Sequence, residues 1–258
     1  QPDGNTLHVP IFVGDVGAKG ARAGDQVVVE IVRYPSEGSP ATGVIVERLG
    51  ERGKPGVDLA SIIRQYHLPE EFPPEVLDHA GAVVRAFNAE KELEHREDLS
   101  GLLTITIDPD DAKDFDDAIT LLRLDGPGDR ASKRRNVDKT NRRSEKLIGQ
   151  DGGGAVWELG VHIADVSHFV CEGEPMDEEA RERGTSVYFP GYVIPMLPEV
   201  LSNGICSLQE GEPRLTKSAF IRYDAQSRVV HARFANTVIR SAKRLTYRQA
   251  SSILDGKT

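Results

Sequence analysis

The sequence predicts an α+β chain: a small OB-like β-barrel, a connecting helix, then a mixed α/β domain. Three observations carry this. Short β-branched runs broken by Gly and Pro fill the first quarter. An apolar stripe at helical spacing follows Pro73-Pro74. Longer strand-like runs, one pair of them flanking an acidic loop, occupy the remainder.

Residues 1–66 read as the barrel. Leu7 to Val13 is an apolar run, and Gln26 to Arg33 is a β-branched strand between the Gly24-Asp25 turn and Pro35. Gly43 to Glu47 is a further short strand, and this spacing suits a small barrel. Asp58 is placed to cap a short helix reaching Tyr66. Pro73-Pro74-Glu75 then opens a helix with Val76, Leu77, Ala80, Val83, Val84 and Phe87 on one stripe. Proline is tolerated there because its missing N–H has no partner in the first turn. The charged segment Glu90 to Asp98 reads as a continuation, so residues 67–99 form a helical linker.

The second domain begins at about residue 100. Leu102 to Ile107 and Ala118 to Leu124 are strands around the acidic loop. Residues 125–154 change composition sharply, from Arg130 through Lys133, Arg134 and Arg135 to Lys146, and end in Gly152-Gly153-Gly154. They read as a disordered basic surface insertion. Val156 to Ile163 resumes strand character, and Pro175 to Arg183 is a short acidic helix. Ser218 to Tyr223 and Val229 to Ile239 form a hairpin turning at Asp224 to Arg228, and Thr246 caps a last helix.

Composition bounds the function. With 38% hydrophobic and 28% charged residues among 258, a buried core is within reach. No stretch approaches the roughly 20 apolar residues that span a bilayer, and no apolar signal-peptide core stands near the start. Cys171 and Cys206 are far apart and in no CxxC arrangement, which argues against a disulfide framework and a cysteine zinc site. A reducing, cytoplasmic setting without membrane attachment is expected. The net charge of −9 has the wrong sign for a plain nucleic-acid footprint. Clustered carboxylates at a metal site would account for part of it, with basic residues lining a separate groove. The chain opens on Gln1 and its helical pattern still runs at Asp255 to Thr258, which reads as a piece of a longer protein.

The most informative segment runs from Ile107 to Ala118 (IDPDDAKDFDDA). Asp108 stands where a strand ends; Asp114, Asp116 and Asp117 follow just before the next strand. So many carboxylates repel unless cations neutralise them, and hard divalent ions with oxygen ligands do so. Two ions about 4 Å apart stabilise the attacking and leaving oxygens of a phosphodiester displacement. Magnesium, which keeps waters and accepts phosphate oxygens, suits that role; manganese is the substitute. A calcium loop starting at Asp108 would put Lys113 at the sharp-turn glycine and Ile119 at the bidentate glutamate, which excludes it. An acidic surface turn is the default for an arbitrary string of this kind. His162 and His168 invite a zinc reading, but no cysteine or third histidine lies at helpful spacing.

Thr106 to Ile119 (TIDPDDAKDFDDAI) resembles the signature of the ribonuclease II/R catalytic (RNB) domain, and Asp108, Asp114, Asp116 and Asp117 match its four acidic positions. Val161 to Val170 (VHIADVSHFV), Thr185 to Pro198 (TSVYFPGYVIPMLP), Leu201 to Leu208 (LSNGICSL) and Arg244 to Tyr247 (RLTY) resemble later blocks in the same order. The resemblance covers nearly the whole chain: residues 1–66 resemble part of a cold-shock-type OB domain, and residues 100–258 the N-terminal half of the catalytic domain.

The resemblance implies a 3′→5′ exoribonuclease that hydrolyses single-stranded RNA to nucleoside 5′-monophosphates with magnesium and no organic cofactor. It implies that Asp108 and Asp117 ligate the metal, that Asp114 supports them, and that Asp116 positions metal and attacking water. It implies that Tyr188 packs on bases near the 3′ end, with a core tyrosine as the alternative. His162 and His168 are assigned to RNA contact or to structure, and Asp165 to a turn or to the acidic centre. The basic insertion is a solvated surface segment or a track for RNA phosphates. The family's later arginine and carboxylate, and its outer OB-type domains, have no counterpart here, so weak or no activity of the isolated chain is expected. Two rivals stand: a non-catalytic RNA-binding module, and a regulatory protein that only binds magnesium.

Overall fold

The computed structural model describes residues 2, 3, 7–124 and 155–257; the basic insertion lies outside the described residues. In chain order the elements are β1 (Ile11–Val13), β2 (Asp25–Arg33), β3 (Ala41–Glu51), α1 (Val57–Gln65), α2 (Pro74–Ala86), α3 (Ala89–Glu92), β4 (Glu97–Asp98) and β5 (Thr104–Asp108). Then come β6 (Asp117–Arg123), β7 (Ala155–Ala164), α4 (Pro175–Arg183), β8 (Val187–Phe189), β9 (Tyr192–Ile194), a π-helical turn (Val200–Ile205), β10 (Pro213–Asp224), β11 (Val229–Thr246) and α5 (Tyr247–Leu254). They divide into two compact units: residues 1–72 with 185–194, and residues 73–184 with 195–258.

In the first unit β3 is the central strand, antiparallel to β2 and parallel to β1. Ala41 is fully buried, and Val57 and Ile63 turn the inner face of α1 into the core. The cap expected at Asp58 is corrected: Gly56 holds the N-cap position in the left-handed region (φ 83°), where a side chain would be strained, and Asp58 sits in the first turn. β8 and β9 form a separate antiparallel hairpin that groups with this unit.

In the second unit, α2 begins at Pro74 and buries Val76 and Ala80, while Leu77 of the expected stripe is half exposed. The helix does not continue into Glu90 to Asp98. Phe87 turns to extended backbone and packs edge-on against Phe169 at 5.3 Å; a single helical turn follows; Glu97 and Asp98 then pair with β11 as β4. Asx-like local bonding and a sheet edge outcompete helix propensity there.

Strand order β10-β7-β6-β5-β11, with β11 also paired to β10, closes five strands into a ring flanked by β4. β11 makes this possible by its length of 18 residues: its first part is antiparallel to β10, and from Ser241 it runs parallel to β5. The ring is polar inside. Thr104, Thr106, Thr120, His162, Thr216, Ser218 and Thr237 are each at most 3% exposed. Five of them form one network: Thr120 Oγ1 with His162 Nε2 (3.1 Å), His162 Nδ1 with Ser218 Oγ (2.7 Å), and Ser218 and Thr216 with Thr237 Oγ1 (2.5 Å each). Such a network is stable in a low-dielectric interior only when every member is partnered. Gly160 gives it room, because a Cβ there would stand 2.3 Å from Thr120 Oγ1. A second inward pair, Glu158 with Arg222 at 2.7 Å, is also buried.

Candidate active site

Alternation along β5 sends Thr104, Thr106 and Asp108 into the ring and Ile105 and Ile107 the other way. Asp108 is therefore 7% exposed at the inner end of its strand, opposite Thr246 of β11. β6 starts at Asp117 and runs back antiparallel, with Ile105 facing Ile119. The acidic loop thus leaves and re-enters the sheet at one end of adjacent strands. Asp116 and Asp117 are exposed at that end.

The electrostatics are those of a cluster short of positive charge. Burial raises the proton affinity of the Asp108 carboxyl; the Thr106 hydroxyl and Arg244 pull it down, while the charges of Asp117 and Asp116 raise it further. Asp117 is raised as well, by desolvation first and then by Asp116. Asp108 Oδ2 and Thr106 Oγ1 are both buried and neither makes a well-formed hydrogen bond, although the hydroxyl lies close enough to favour the ionised carboxyl. An unpartnered buried carboxylate oxygen is costly, and either a proton or a bound cation removes that cost. Among the described residues no three His, Cys, Asp or Glu side chains converge to hold an ion. The four aspartates therefore do not form one closed ligand set.

Asp108→Asn tests this balance. In EDTA at neutral pH it is expected to stabilise the protein by about 1 kcal/mol, a rise of about 2–4 °C in Tm for a chain of this size. Magnesium should then raise the Tm of the parent but not of the variant. The sign follows from the raised carboxyls: their ionisation disfavours the folded state, so metal-free stability falls as pH climbs through the ordinary carboxylate range and beyond. A lower Tm of the variant in EDTA would mean that Asp108 is satisfied without a cation.

Elements distant in sequence hold the loop. Ser207 Oγ donates to Lys113 O (2.9 Å) and accepts from Phe115 N (3.2 Å), and Leu208 N donates to Phe115 O (2.8 Å). Ala164 N donates to Asp116 O (2.9 Å). Arg244 Nη2 donates to Pro109 O (2.7 Å) and Asp110 O (3.1 Å), and Arg248 is ion-paired with Asp110, whose carboxyl it holds below the usual range. Ser207, Arg244 and Arg248 received no role from the sequence, although Ser207 and Arg244 lie in segments carrying the resemblance.

The histidines separate. His162 is fully buried in the ring, bonded to hydroxyls and edge-on to Phe220 at 5.9 Å. A contact from His162 to RNA is thereby corrected to a structural role. His168 is partly exposed, 3.4 Å from Arg96 Nη2 through Nδ1 and 3.6 Å from Glu92 through Nε2. Asp165 belongs to this second cluster and not to the acidic loop: it pairs with Arg96 (2.7 Å) and Lys217 (3.5 Å) and accepts from Ser167 Oγ. Burial would raise its carboxyl, but Ser167 and the two cations outweigh burial and hold it low. Tyr188 stands exposed on β8 in the first unit, while the acidic loop and both histidines are in the second.

Comparison with known proteins identifies both parts of the chain. The RNB domain matches residues 96–258 and the cold shock domain residues 1–73. Ribonuclease R of Thermotoga maritima is 40% identical over 256 residues, 98% of this chain and 32% of that protein. Ribonuclease R of Escherichia coli is 37% identical over 255 residues, 99% of this chain and 28% of its own length. The chain thus spans about a third of the length of these curated relatives. Among solved structures, Mycoplasma genitalium RNase R in complex with double-stranded RNA superposes with a TM-score of 0.78 at 26% identity, covering 97% of this chain and 40% of that one.

Proposed function

Because this chain belongs to the RNB-domain family, we propose that it supplies the cation-binding part of an exoribonuclease site. The substrate is single-stranded RNA, shortened 3′→5′ to nucleoside 5′-monophosphates, with magnesium as the metal and manganese as its substitute. The observation that supports this most directly is the buried, unpartnered Oδ2 of Asp108 beside the charges of Asp116 and Asp117. In this reading Asp108 and Asp117 hold the cation, Asp114 supports them, and Asp116, exposed at the loop's end, orients the attacking water. A bound magnesium ion supplies charge neutralisation at the phosphate and lowers the pKa of attached water. The aspartates exclude competing anions until that charge is in place. The exposed ring of Tyr188 offers a stacking face for a base, a contact tolerant of sequence. Residues 1–66 act as the cold-shock-type RNA guide, residues 67–99 as the linker and residues 100–258 as the catalytic part.

No helix among the described residues is long and apolar enough to cross a membrane. The free thiols of exposed Cys171 and buried Cys206 fit action in the reducing cytoplasm.

The test is digestion of 5′-labelled single-stranded RNA by the purified chain, with magnesium or with EDTA. A magnesium-dependent ladder shortening from the 3′ end supports the reading. RNA binding without digestion fits both the weak activity expected of this chain alone and a non-catalytic RNA-binding module, and cation binding without RNA affinity favours a regulatory magnesium site.

A further inference from the structure

We propose that Arg244 is the positioning residue that sets the span of the acidic loop for its cation, a role that rests on the cation-binding reading above. The loop has two arms: Pro109 and Asp110 lead away from Asp108, and Phe115 leads into Asp116 and Asp117. One guanidinium holds both. Its Nη2 donates to the carbonyls of Pro109 and Asp110, and its Cζ stands 4.9 Å from the centroid of the Phe115 ring. The backbone that presents it is itself fixed: Arg244 N donates to the Glu210 carboxylate (3.1 Å), and Lys243 pairs with the same carboxylate at 3.2 Å. Arg244 Nε is buried and has no partner of its own.

Each arm has further tethers, but none of these reaches across; Leu208 N and Ala164 N hold only the second arm, on Phe115 O and Asp116 O. Arg248 binds only the first arm, through Asp110, and Ser207 only the second, through Lys113 O and Phe115 N. Arg244 alone among these touches both. A lysine would replace it only in part: its ammonium can donate to two carbonyls, but it brings no guanidinium to the Phe115 ring.

The charge of Arg244 makes the role testable. A fixed positive charge near Asp108 repels an incoming cation, so electrostatics alone predicts that removing it tightens cation binding. Positioning predicts the opposite. The experiment titrates Mn²⁺ into the intact chain and reads the free ion by EPR, with far-UV CD and Tm as controls. Arg244→Gln and Arg244→Lys are both expected to weaken Mn²⁺ binding by about tenfold or more, the range seen when a partner behind a metal ligand is removed. Tighter binding by Arg244→Gln, or affinity within about twofold of the parent for either variant, overturns the assignment. Should both variants fail to fold, Phe115→Leu decides: it removes the ring but no hydrogen bond, and an unchanged affinity overturns the proposal. Asp108→Asn separates the two levels of the argument. If it loses Mn²⁺ while the Arg244 variants keep it, only the role of Arg244 falls. If the parent and Asp108→Asn bind Mn²⁺ alike, the cation site itself falls, and the role of Arg244 with it.

Discussion

Asp116→Asn should reduce magnesium-dependent RNA shortening by about 10²–10⁴-fold, the usual contribution of a positioned proton acceptor. The substitution is nearly isosteric and falls on an exposed residue whose main-chain oxygen, not its side chain, is tied to Ala164. The fold should therefore survive, with Tm within about 1 °C of the parent, as expected for a surface change. Removing the charge also relieves Asp108 and Asp117, both of which Asp116 raises. RNA binding should persist or tighten while turnover collapses, a split that separates a chemical role from a binding one. Digestion within about tenfold of the parent would remove Asp116 from the chemistry and transfer the role to another carboxylate of the loop.

Acid sensitivity is the second large effect, and it comes from the interior of the ring. Burial pushes the His162 imidazole down to about 4 from an ordinary 6.5, and its neighbours are the hydroxyls of Thr120 and Ser218 and the ring of Phe220. Between those two pH values the unfolded chain holds a proton that the native state refuses. Stability is therefore complete above about pH 6.5 and lost as pH falls towards 4, by about 3 kcal/mol in total. Urea unfolding at pH 7, 6 and 5 should show a slope in the parent that His162→Gln lacks, although the variant starts less stable. The raised carboxyls of Asp108 and Asp117 work in the opposite direction and are present in both proteins, so the difference in slope isolates His162. Equal slopes would mean that the imidazole is protonated inside the fold or exposed.

His162 also shows where sequence reading reached its limit. Along β7, Leu159, Val161 and Ile163 alternate with Glu158, Gly160 and His162. The ordinary inference turns the apolar row inward and leaves the histidine available to a ligand. The closed ring reverses this: His162 is fully buried while Ile163 is 46% exposed. Alternation identifies two faces and says nothing of which is inside. The strands themselves were legible, because β-branched runs between Gly and Pro are local signals. So was the cap of α5, where Thr246 and Gln249 exchange hydrogen bonds as a capping box. The acidic loop was legible as a segment, since its carboxylates lie close together in the sequence; which of them face a common point was not. Its supports were not: Ser207 lies 92 residues from Phe115, and Arg248 lies 138 residues from Asp110. Contacts at that separation leave no periodic trace in a single sequence.

The parallel pairing of β5 with the end of β11 has a consequence for how the protein comes into being. Asp108 finds its strand neighbour, Thr246, only much later in the sequence, and loop closure over such a distance is slow. During synthesis the aspartates emerge long before the strand that orders them. A nascent chain therefore exposes a loose string of carboxylates with weak, undirected attraction for cations, and cation affinity in the mature range appears only when β11 docks. Binding of a divalent ion is thus a marker that β11 has docked, and a chain stalled before β11 would carry every acidic residue of the site without the site.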